Sequence, residues 1–239
     1  MRSDRATPPP EVERHLAHWI GGWPPERPVK VVPSPNAEAP GWDGTPRRAT
    51  GAVDPDGHAV IGVAPSVADA LAHPLETVDD LRAAMPAAIG RSGVLGLGAL
   101  RWAVDVPGPD ELPDVGVWLP AALADDPDDA RVDSWLAPFG GDVLVALDDD
   151  GRYLGGVGLK RHDNLGREIA VVTAEAAQGR GIARRLVAQA ARRVLAEGMA
   201  VTYLHAHDNV ASAHVARATG FPDTGWQIIG WFERPTAST

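Results

Sequence analysis

One segment constrains the fold more than any other: residues 168–198, with the sequence EIAVVTAEAAQGRGIARRLVAQAARRVLAEG. It predicts a strand over residues 168–173, a short loop, and a helix over residues 181–197. Apolar residues recur every four positions in that helix: Ile182, Leu186, Ala190 and Val194. One face of the helix is therefore predicted to be buried. A strand that passes through a short loop directly into a helix is typical of α/β folds.

The loop, residues 178–183 with the sequence QGRGIA, favours an anionic ligand. Gly179 and Gly181 let the backbone approach a ligand closely, and the first amides of the following helix have no intrahelical acceptor. The helix dipole favours negative charge there, so a diphosphate suits this place. Three arginines suit an additional phosphate: Arg180, Arg184 and Arg185. Taken alone, the loop is explained equally well by tight packing of the strand against the helix.

Two other phosphate-binding motifs are excluded by the same residues. The dinucleotide motif G-x-G-x-x-G requires a glycine where Arg184 stands. A P-loop requires a Gly-Lys-Ser/Thr sequence, which does not follow the loop.

From residue 142 onward, the C-terminal part around this segment shows the element order β-β-β-α-β-α-β. The patterns predict strands at residues 99–106, 142–147, 153–160, 168–173, 200–206 and 227–233, helices at residues 181–197 and 209–219, and short helical pieces at residues 118–123. Antiparallel hairpins precede a crossover in this order. We therefore predict an α/β fold with a mixed, mostly antiparallel sheet and flanking helices.

The preceding residues predict a disordered arm at residues 1–10 and a small α/β subdomain at residues 11–94. The predicted elements are a helix at residues 11–20, strands at residues 29–32, 48–53 and 58–63, and two helices that are capped by Ser66 and Thr77. The sequence favours a packing role for this subdomain, with substrate selection as the alternative.

Two motifs together resemble the GNAT superfamily of N-acetyltransferases. The loop QGRGIA resembles the acetyl-CoA motif Q/R-x-x-G-x-G/A of that family, with Ala183 in the last place. Residues 209–221 resemble its second signature, an asparagine after the fifth strand (here Asn209) and a helix that ends in Gly-Phe. The resemblance covers residues 95–235 and does not include residues 1–94. It implies that residues 95–239 form a GNAT-like acetyl-CoA-binding domain.

The resemblance also implies a set of binding residues. The backbone of Val171, Val172 and Thr173 should pair with the pantetheine amides, and the loop amides should hold the pyrophosphate. Asn209 should contact the pantetheine arm, although an ordinary helix N-cap explains this residue as well. The complete predicted cofactor-binding set is Val171, Val172, Thr173, Gln178, Gly179, Arg180, Gly181, Ile182, Ala183, Arg184, Asn209 and Ser212. The implied cosubstrate is acetyl-CoA, without a metal.

Acetyl transfer to an amine requires a base for the amine and an acid or dipole for the departing thiolate. Glu168 lies close to the place of a catalytic glutamate in some family members, and His205 lies near a carboxylate position of others. Glu168 could instead pair with Arg167. Many GNAT enzymes use a tyrosine as the acid, but the matching position here is Ala216. A metal site at His205 and His207 has no third ligand at an obvious spacing.

The composition limits the classes of partner and of chemical site that the protein can have. A formal net charge of −10 disfavours non-specific nucleic-acid binding. The absence of cysteine excludes disulfides, zinc–thiolate sites and a cysteine nucleophile. The apolar stretch at residues 94–106 is too short to span a bilayer, so we expect a soluble, cytoplasmic protein without a membrane partner. The sequence also allows a homodimer.

These observations predict an acetyl-CoA-dependent N-acetyltransferase that acts on a primary amine of a small molecule or peptide. The first alternative, which Ala216 motivates, is a CoA-binding protein with lost or regulatory catalysis. The second is an α/β packing module without a CoA site.

Overall fold

The computed structural model describes residues 7–25, 28–121 and 131–233. The helices in these ranges are α1 (Pro10–Ile20), α2 (Pro65–Ala70), α3 (Val78–Ile89), α4 (Ile182–Ala196) and α5 (Val210–Ala218). The strands are β1 (Val29–Pro33), β2 (Ala49–Val53), β3 (Ala59–Val63), β4 (Gly93–Ala103), β5 (Val117–Leu119), β6 (Val143–Leu147), β7 (Tyr153–Lys160), β8 (Gly166–Thr173), β9 (Ala200–His205) and β10 (Gln227–Glu233). Most of the arm predicted at residues 1–10 lies outside the described residues.

The contacts divide the chain into two compact units. The first comprises residues 1–100 and 223–239, and the second comprises residues 101–222. The sequence-based division at residues 94/95 groups β10 with the C-terminal part, whereas the contacts group it with the first unit. The reason is its pairing, because β10 is antiparallel to β2 and to the first part of β4.

The first unit contains a sheet with the strand order β1-β3-β2-β10-β4. Its helix α3 begins as predicted: Thr77 accepts a hydrogen bond from the Asp80 amide, and the two residues form a capping box. The cap predicted at Ser66 is wrong, because α2 begins at Pro65 after Ala64. Proline is well suited to the first helical position, since its fixed φ matches the helix and its missing N–H is not needed there.

Gly62 in β3 gives a stability prediction for the first unit. A Cβ on Gly62 would lie 1.8 Å from the backbone oxygen of Ile20, so the backbone must move to accept it. We expect Gly62→Ala to destabilise the protein by roughly 2 kcal/mol or more. Gly108→Ala is the control, because a Cβ there meets none of the described residues within 4 Å and its φ is not positive. Urea unfolding of both variants checks this, and equal midpoints would contradict the packing argument.

The second unit contains the strand order β9-β8-β7-β6-β5. β8 and β9 are parallel, while the other neighbours are antiparallel. The predicted fold class, α/β with a mixed, mostly antiparallel sheet and flanking helices, is thus confirmed. The buried face of α4 is also confirmed, by Ile182, Leu186, Val187, Ala190, Ala191 and Val194.

The helical pieces predicted at residues 118–123 are wrong at Trp118 and Leu119, whereas Ala121 is helical. Val117–Leu119 is the strand β5, and it pairs with β6. Valine and tryptophan favour a pleated surface beside a strand partner, and this tertiary pairing overrides a local helical pattern. Residues 122 and 123 of that prediction lie outside the described residues. Within the described ranges, no helix combines the length and the apolar character that crossing a membrane requires.

Candidate functional site

The strands β8 and β9 separate halfway along β8. Their parallel register runs from Gly166↔Ala200 to Ile169↔Tyr203 and ends there. β8 nevertheless continues to Thr173, paired on its other side with β7. The edge of β8 at residues 170–173 therefore borders a gap, which we call the β8–β9 gap.

Backbone direction determines which groups of β8 face this gap. The Ala174 amide donates to the Leu154 carbonyl at 3.0 Å, so residue 174 and every second residue before it face β7. The N–H and C=O of Val171 and Thr173 therefore point into the gap. Val172 faces β7 instead, and its carbonyl accepts a hydrogen bond from the Tyr153 hydroxyl at 3.3 Å.

A half-open cavity of about 570 Å³ lies where β8 passes into α4. Its lining consists of Thr173, Ala177, Gln178, Gly179, Gly181, Ile182, Ala183, Arg184, Val210, Ala211, His214 and Val215. Seven members of the predicted cofactor-binding set are among them: Thr173, Gln178, Gly179, Gly181, Ile182, Ala183 and Arg184. The other predicted members do not line it: Val171, Val172, Arg180, Asn209 and Ser212. The structure thus gathers the glycine loop and one face of α5 around a single cavity.

The glycine loop has the backbone conformation that its glycines allow. Gly179 and Gly181 have φ values of +73° and +78°, in the left-handed region that glycine adopts without strain. Gly181 is the N-cap of α4, and no side chain among the described residues caps this helix start. The first amides of α4 have no intrahelical acceptor. They lie at the rim of the cavity, where an anion could accept their hydrogen bonds.

The predicted arginines serve different purposes. Arg180 and Arg184 are exposed beside the loop. Arg185 instead donates to the backbone oxygens of Pro113 and Asp114, at 2.9 Å and 3.1 Å. Its guanidinium therefore holds the segment before β5 against α4, and the phosphate role suggested for it by the sequence is not supported by its position.

The N-terminal turns of α5 contribute lining residues that the sequence analysis missed. Val210, Ala211, His214 and Val215 line the cavity, and His214 adds a ring nitrogen to a lining that also contains Arg184. Their common location could have been predicted from the sequence, because positions 210, 211, 214 and 215 share one face of a helix. Val210 is also 77% exposed, which is unusual for a valine.

Asn209 and Ser212 lie together at the start of α5. The Asn209 Oδ1 accepts a hydrogen bond from the Ser212 amide at 2.9 Å, so Asn209 is the helix N-cap. The Ser212 hydroxyl lies 2.9 Å from the hydroxyl of Tyr203 on β9. This contact connects the helix start to the strand residue that closes the β8–β9 gap.

Glu168, the first candidate base, is buried in a cluster of charges. Its carboxylate accepts hydrogen bonds from Lys160 Nζ and His162 Nε2, both at 2.7 Å. Burial by itself raises the pKa of Glu168, but the hydrogen bond from His162 and the charge of Lys160 outweigh it and lower the pKa to about 2. The alternative pairing with Arg167 is not observed, since Arg167 donates to the oxygens of Asp163 and Gly166.

His205, the second candidate base, lies at the end of β9 with both ring nitrogens engaged. Arg101 Nε donates to His205 Nε2 at 2.8 Å. The Nδ1 of His205 must then carry the proton, and it donates to the Ala206 oxygen at 2.8 Å. Arg101 is only 4% exposed and also donates to the Phe221 oxygen at 3.2 Å. No local sequence pattern indicates Arg101 as a site residue.

These features define an α/β domain whose sheet opens beside a glycine-capped helix start. Residues 112–221 match the model of the acetyltransferase (GNAT) family. The match contains the glycine loop, the β8–β9 gap and every residue that lines the cavity. This C-terminal part of the chain is therefore a GNAT acetyltransferase domain. A search of curated proteins finds no match.

Solved structures of GNAT proteins are similar to this chain at low identity. A protein assigned to the GNAT family of acetyltransferases, from Novosphingobium aromaticivorans, is 18% identical with a TM-score of 0.44, over 59% of this chain and 66% of its own. A GCN5-related N-acetyltransferase-like protein from Streptococcus suis is 18% identical with a TM-score of 0.44, over 64% and 67%. A GCN5-related N-acetyltransferase from Sphaerobacter thermophilus is 17% identical with a TM-score of 0.40, over 69% and 59%. The chain covers about two thirds or less of the length of these structures.

Proposed function

We propose that this protein transfers an acetyl group from acetyl-CoA to a primary amine of a small molecule or peptide, by direct attack in a ternary complex. The observation that carries the proposal is the cavity at the glycine loop. It lies at the end of the β8–β9 gap, within a GNAT acetyltransferase domain. One elongated ligand with an anionic end and an amide-bearing arm suits both places.

The diphosphate and the pantetheine arm of acetyl-CoA match the two parts of the site. Its diphosphate accepts hydrogen bonds from the first amides of α4, where the helix dipole also favours negative charge. Arg184 and His214 both line the cavity, and each can donate a hydrogen bond to a phosphate oxygen. The pantetheine arm then runs along the edge of β8, where the backbone groups of Val171 and Thr173 are available to its amides.

We assign the role of general base, which removes the proton of the amine, to His205 and not to Glu168. A general base works best when its pKa is near the operating pH, and a carboxylate with a pKa of about 2 accepts few protons at neutral pH. An imidazole suits this task. His205 Nε2 is occupied by Arg101 in this structure, so the assignment requires the Arg101 contact to open when the amine binds.

One observation favours a second candidate, a CoA-binding protein with lost or regulatory catalysis. Ala216 is fully buried, and it stands where the family resemblance predicts a tyrosine that acts as the general acid. Such a protein would bind acetyl-CoA in the same cavity and would release no thiol in the presence of amines.

Thermal unfolding with acetyl-CoA tests the binding step first. A ligand that binds only the native state adds about 2.7 kcal/mol of stability at a hundredfold excess over Kd. We expect acetyl-CoA and CoA to raise the Tm, with AMP and NAD as controls that do not. Release of the CoA thiol with spermidine, kanamycin and a tripeptide as acceptors then separates the two candidates. The absence of any shift at saturating acetyl-CoA would contradict both of them.

A further inference from the structure

The hydrogen bond between Tyr203 and Ser212 connects β9 to the first turn of α5. The two hydroxyl oxygens are 2.9 Å apart, and either can donate. Tyr203 is 1% exposed, packed against Phe221 and His205, whereas Ser212 is only half-buried. A proton on this pair can therefore reach the protein surface through Ser212.

The pair lies where the far end of an elongated donor would reach. Tyr203 is the last residue of β9 in register with β8, so it stands at the closed end of the β8–β9 gap. The gap extends along β8 from Thr173 back to Ile169, about 13 Å at roughly 3.3 Å per residue. An extended pantetheine arm spans such a distance. With the diphosphate at the start of α4, the thioester comes to the Tyr203 end.

The local electrostatics keep the Tyr203 hydroxyl protonated and favour a nearby anion. Burial raises the pKa of Tyr203, although the hydrogen bond with Ser212 and the charge of Arg101 act in the opposite direction. Tyr203 is therefore a phenol, with a proton to give, over the neutral range. Ser212 belongs to the first turn of α5, where the helix dipole stabilises negative charge on a departing sulfur.

Ala216 explains why a hydroxyl at another position is needed. It lies on α5 one turn after Ser212 and carries no proton to donate. Ala216 and Tyr203 belong to the same buried cluster, to which position 216 of α5 contributes only a methyl group.

We propose that Ser212 protonates the departing thiolate of coenzyme A and that Tyr203 returns the proton to Ser212. The inference rests on the acetyl transfer proposed above. The amine nitrogen forms a bond to the carbonyl carbon, the carbon–sulfur bond breaks, and its electron pair goes to sulfur. Sulfur takes the proton of Ser212 Oγ, and Ser212 takes the proton of Tyr203 Oη. The amine nitrogen loses its proton to His205, which passes it to solvent, and the phenolate regains a proton from solvent. Ser212 is thus the catalytic residue and Tyr203 the positioning residue.

Steady-state kinetics of four variants test the inference, with thiol release measured with and without amine. Ser212→Ala should lower kcat about a hundredfold and Tyr203→Phe about tenfold, because general acids typically contribute factors of about 10² or more. The KM for acetyl-CoA should stay within about twofold in both. Ser212→Thr restores a hydroxyl and should recover most of the kcat lost in Ser212→Ala. The chain's other tyrosine gives the control Tyr153→Phe, which loses a hydrogen bond to a backbone oxygen but no proton relay.

The outcomes separate this inference from the function on which it rests. Turnover by the wild-type protein with unchanged kcat in Ser212→Ala and Tyr203→Phe would overturn the relay and leave the acetyltransferase standing. A lower Tm with unchanged kcat in Tyr203→Phe would show a packing role alone. Wild-type protein that binds acetyl-CoA but releases no thiol under either condition would overturn the relay and the proposed function together.

Discussion

Replacing Gly179 with aspartate is expected to weaken acetyl-CoA binding about a hundredfold while the fold stays intact. Gly179 has a φ of +73°, and a Cβ there meets none of the described residues within 4 Å. Aspartate tolerates the left-handed conformation better than most residues. Its carboxylate would stand beside the amides that we assign to the diphosphate. At roughly 5 Å and an effective dielectric constant of about 20, two like charges repel by about 3 kcal/mol.

Gly198 supplies a matched control at the other end of α4. Its φ is +72°, and a Cβ there also has open space within 4 Å among the described residues. The helix dipole gives the two substitutions opposite effects on the free energy of unfolding. A carboxylate stabilises a helix start and destabilises a helix end, by about 0.3–1 kcal/mol in each case. Gly198→Asp should therefore be less stable than Gly179→Asp, and it should bind acetyl-CoA with the affinity of the wild-type protein. Calorimetric titration with acetyl-CoA and urea unfolding check both properties, and equal affinities would argue against the diphosphate assignment.

The glycine loop could be predicted from the sequence because its signals are local. Glycines at fixed spacing, a strand before them and a four-residue apolar repeat after them all lie within residues 168–198. Each of these features depends on the backbone conformation of neighbouring residues and not on contacts with distant parts of the chain. The buried face of α4 and the cap at Thr77 were predictable for the same reason.

The catalytic candidates could not be predicted in the same way, because long-range contacts decide their chemistry. The contact of His205 with Arg101 joins residues far apart in the chain, and no local pattern indicates it. Arg185 looked like a phosphate ligand in sequence, but two distant carbonyl groups engage it. Lys160 and His162 are near Glu168 in the chain, yet only the hairpin register places all three groups together.

Glu168→Gln is expected to destabilise the protein more than Ser212→Ala, Tyr203→Phe or Tyr153→Phe. The pKa of Glu168 falls from 4.5 to about 2 on folding, and one pKa unit corresponds to about 1.4 kcal/mol. The carboxylate thus contributes on the order of 3 kcal/mol at neutral pH. Glutamine removes this contribution and leaves Lys160 and His162 facing a neutral amide. Urea unfolding at pH 7 measures the loss.

The pH dependence gives the sharper test, because a lowered pKa fixes its sign. The contribution of Glu168 is complete above its unfolded pKa of 4.5 and is lost as the pH falls toward about 2. The stability difference between wild type and Glu168→Gln should therefore be constant from pH 7 to pH 5 and should shrink from pH 5 to pH 3. Glu233→Gln is the control, since the pKa of Glu233 is also lowered by arginines but its carboxylate is exposed. An exposed ion pair contributes little, so this variant should follow the wild-type curve. A Glu168→Gln curve parallel to wild type down to pH 3 would show that the buried cluster does not hold the carboxylate charged.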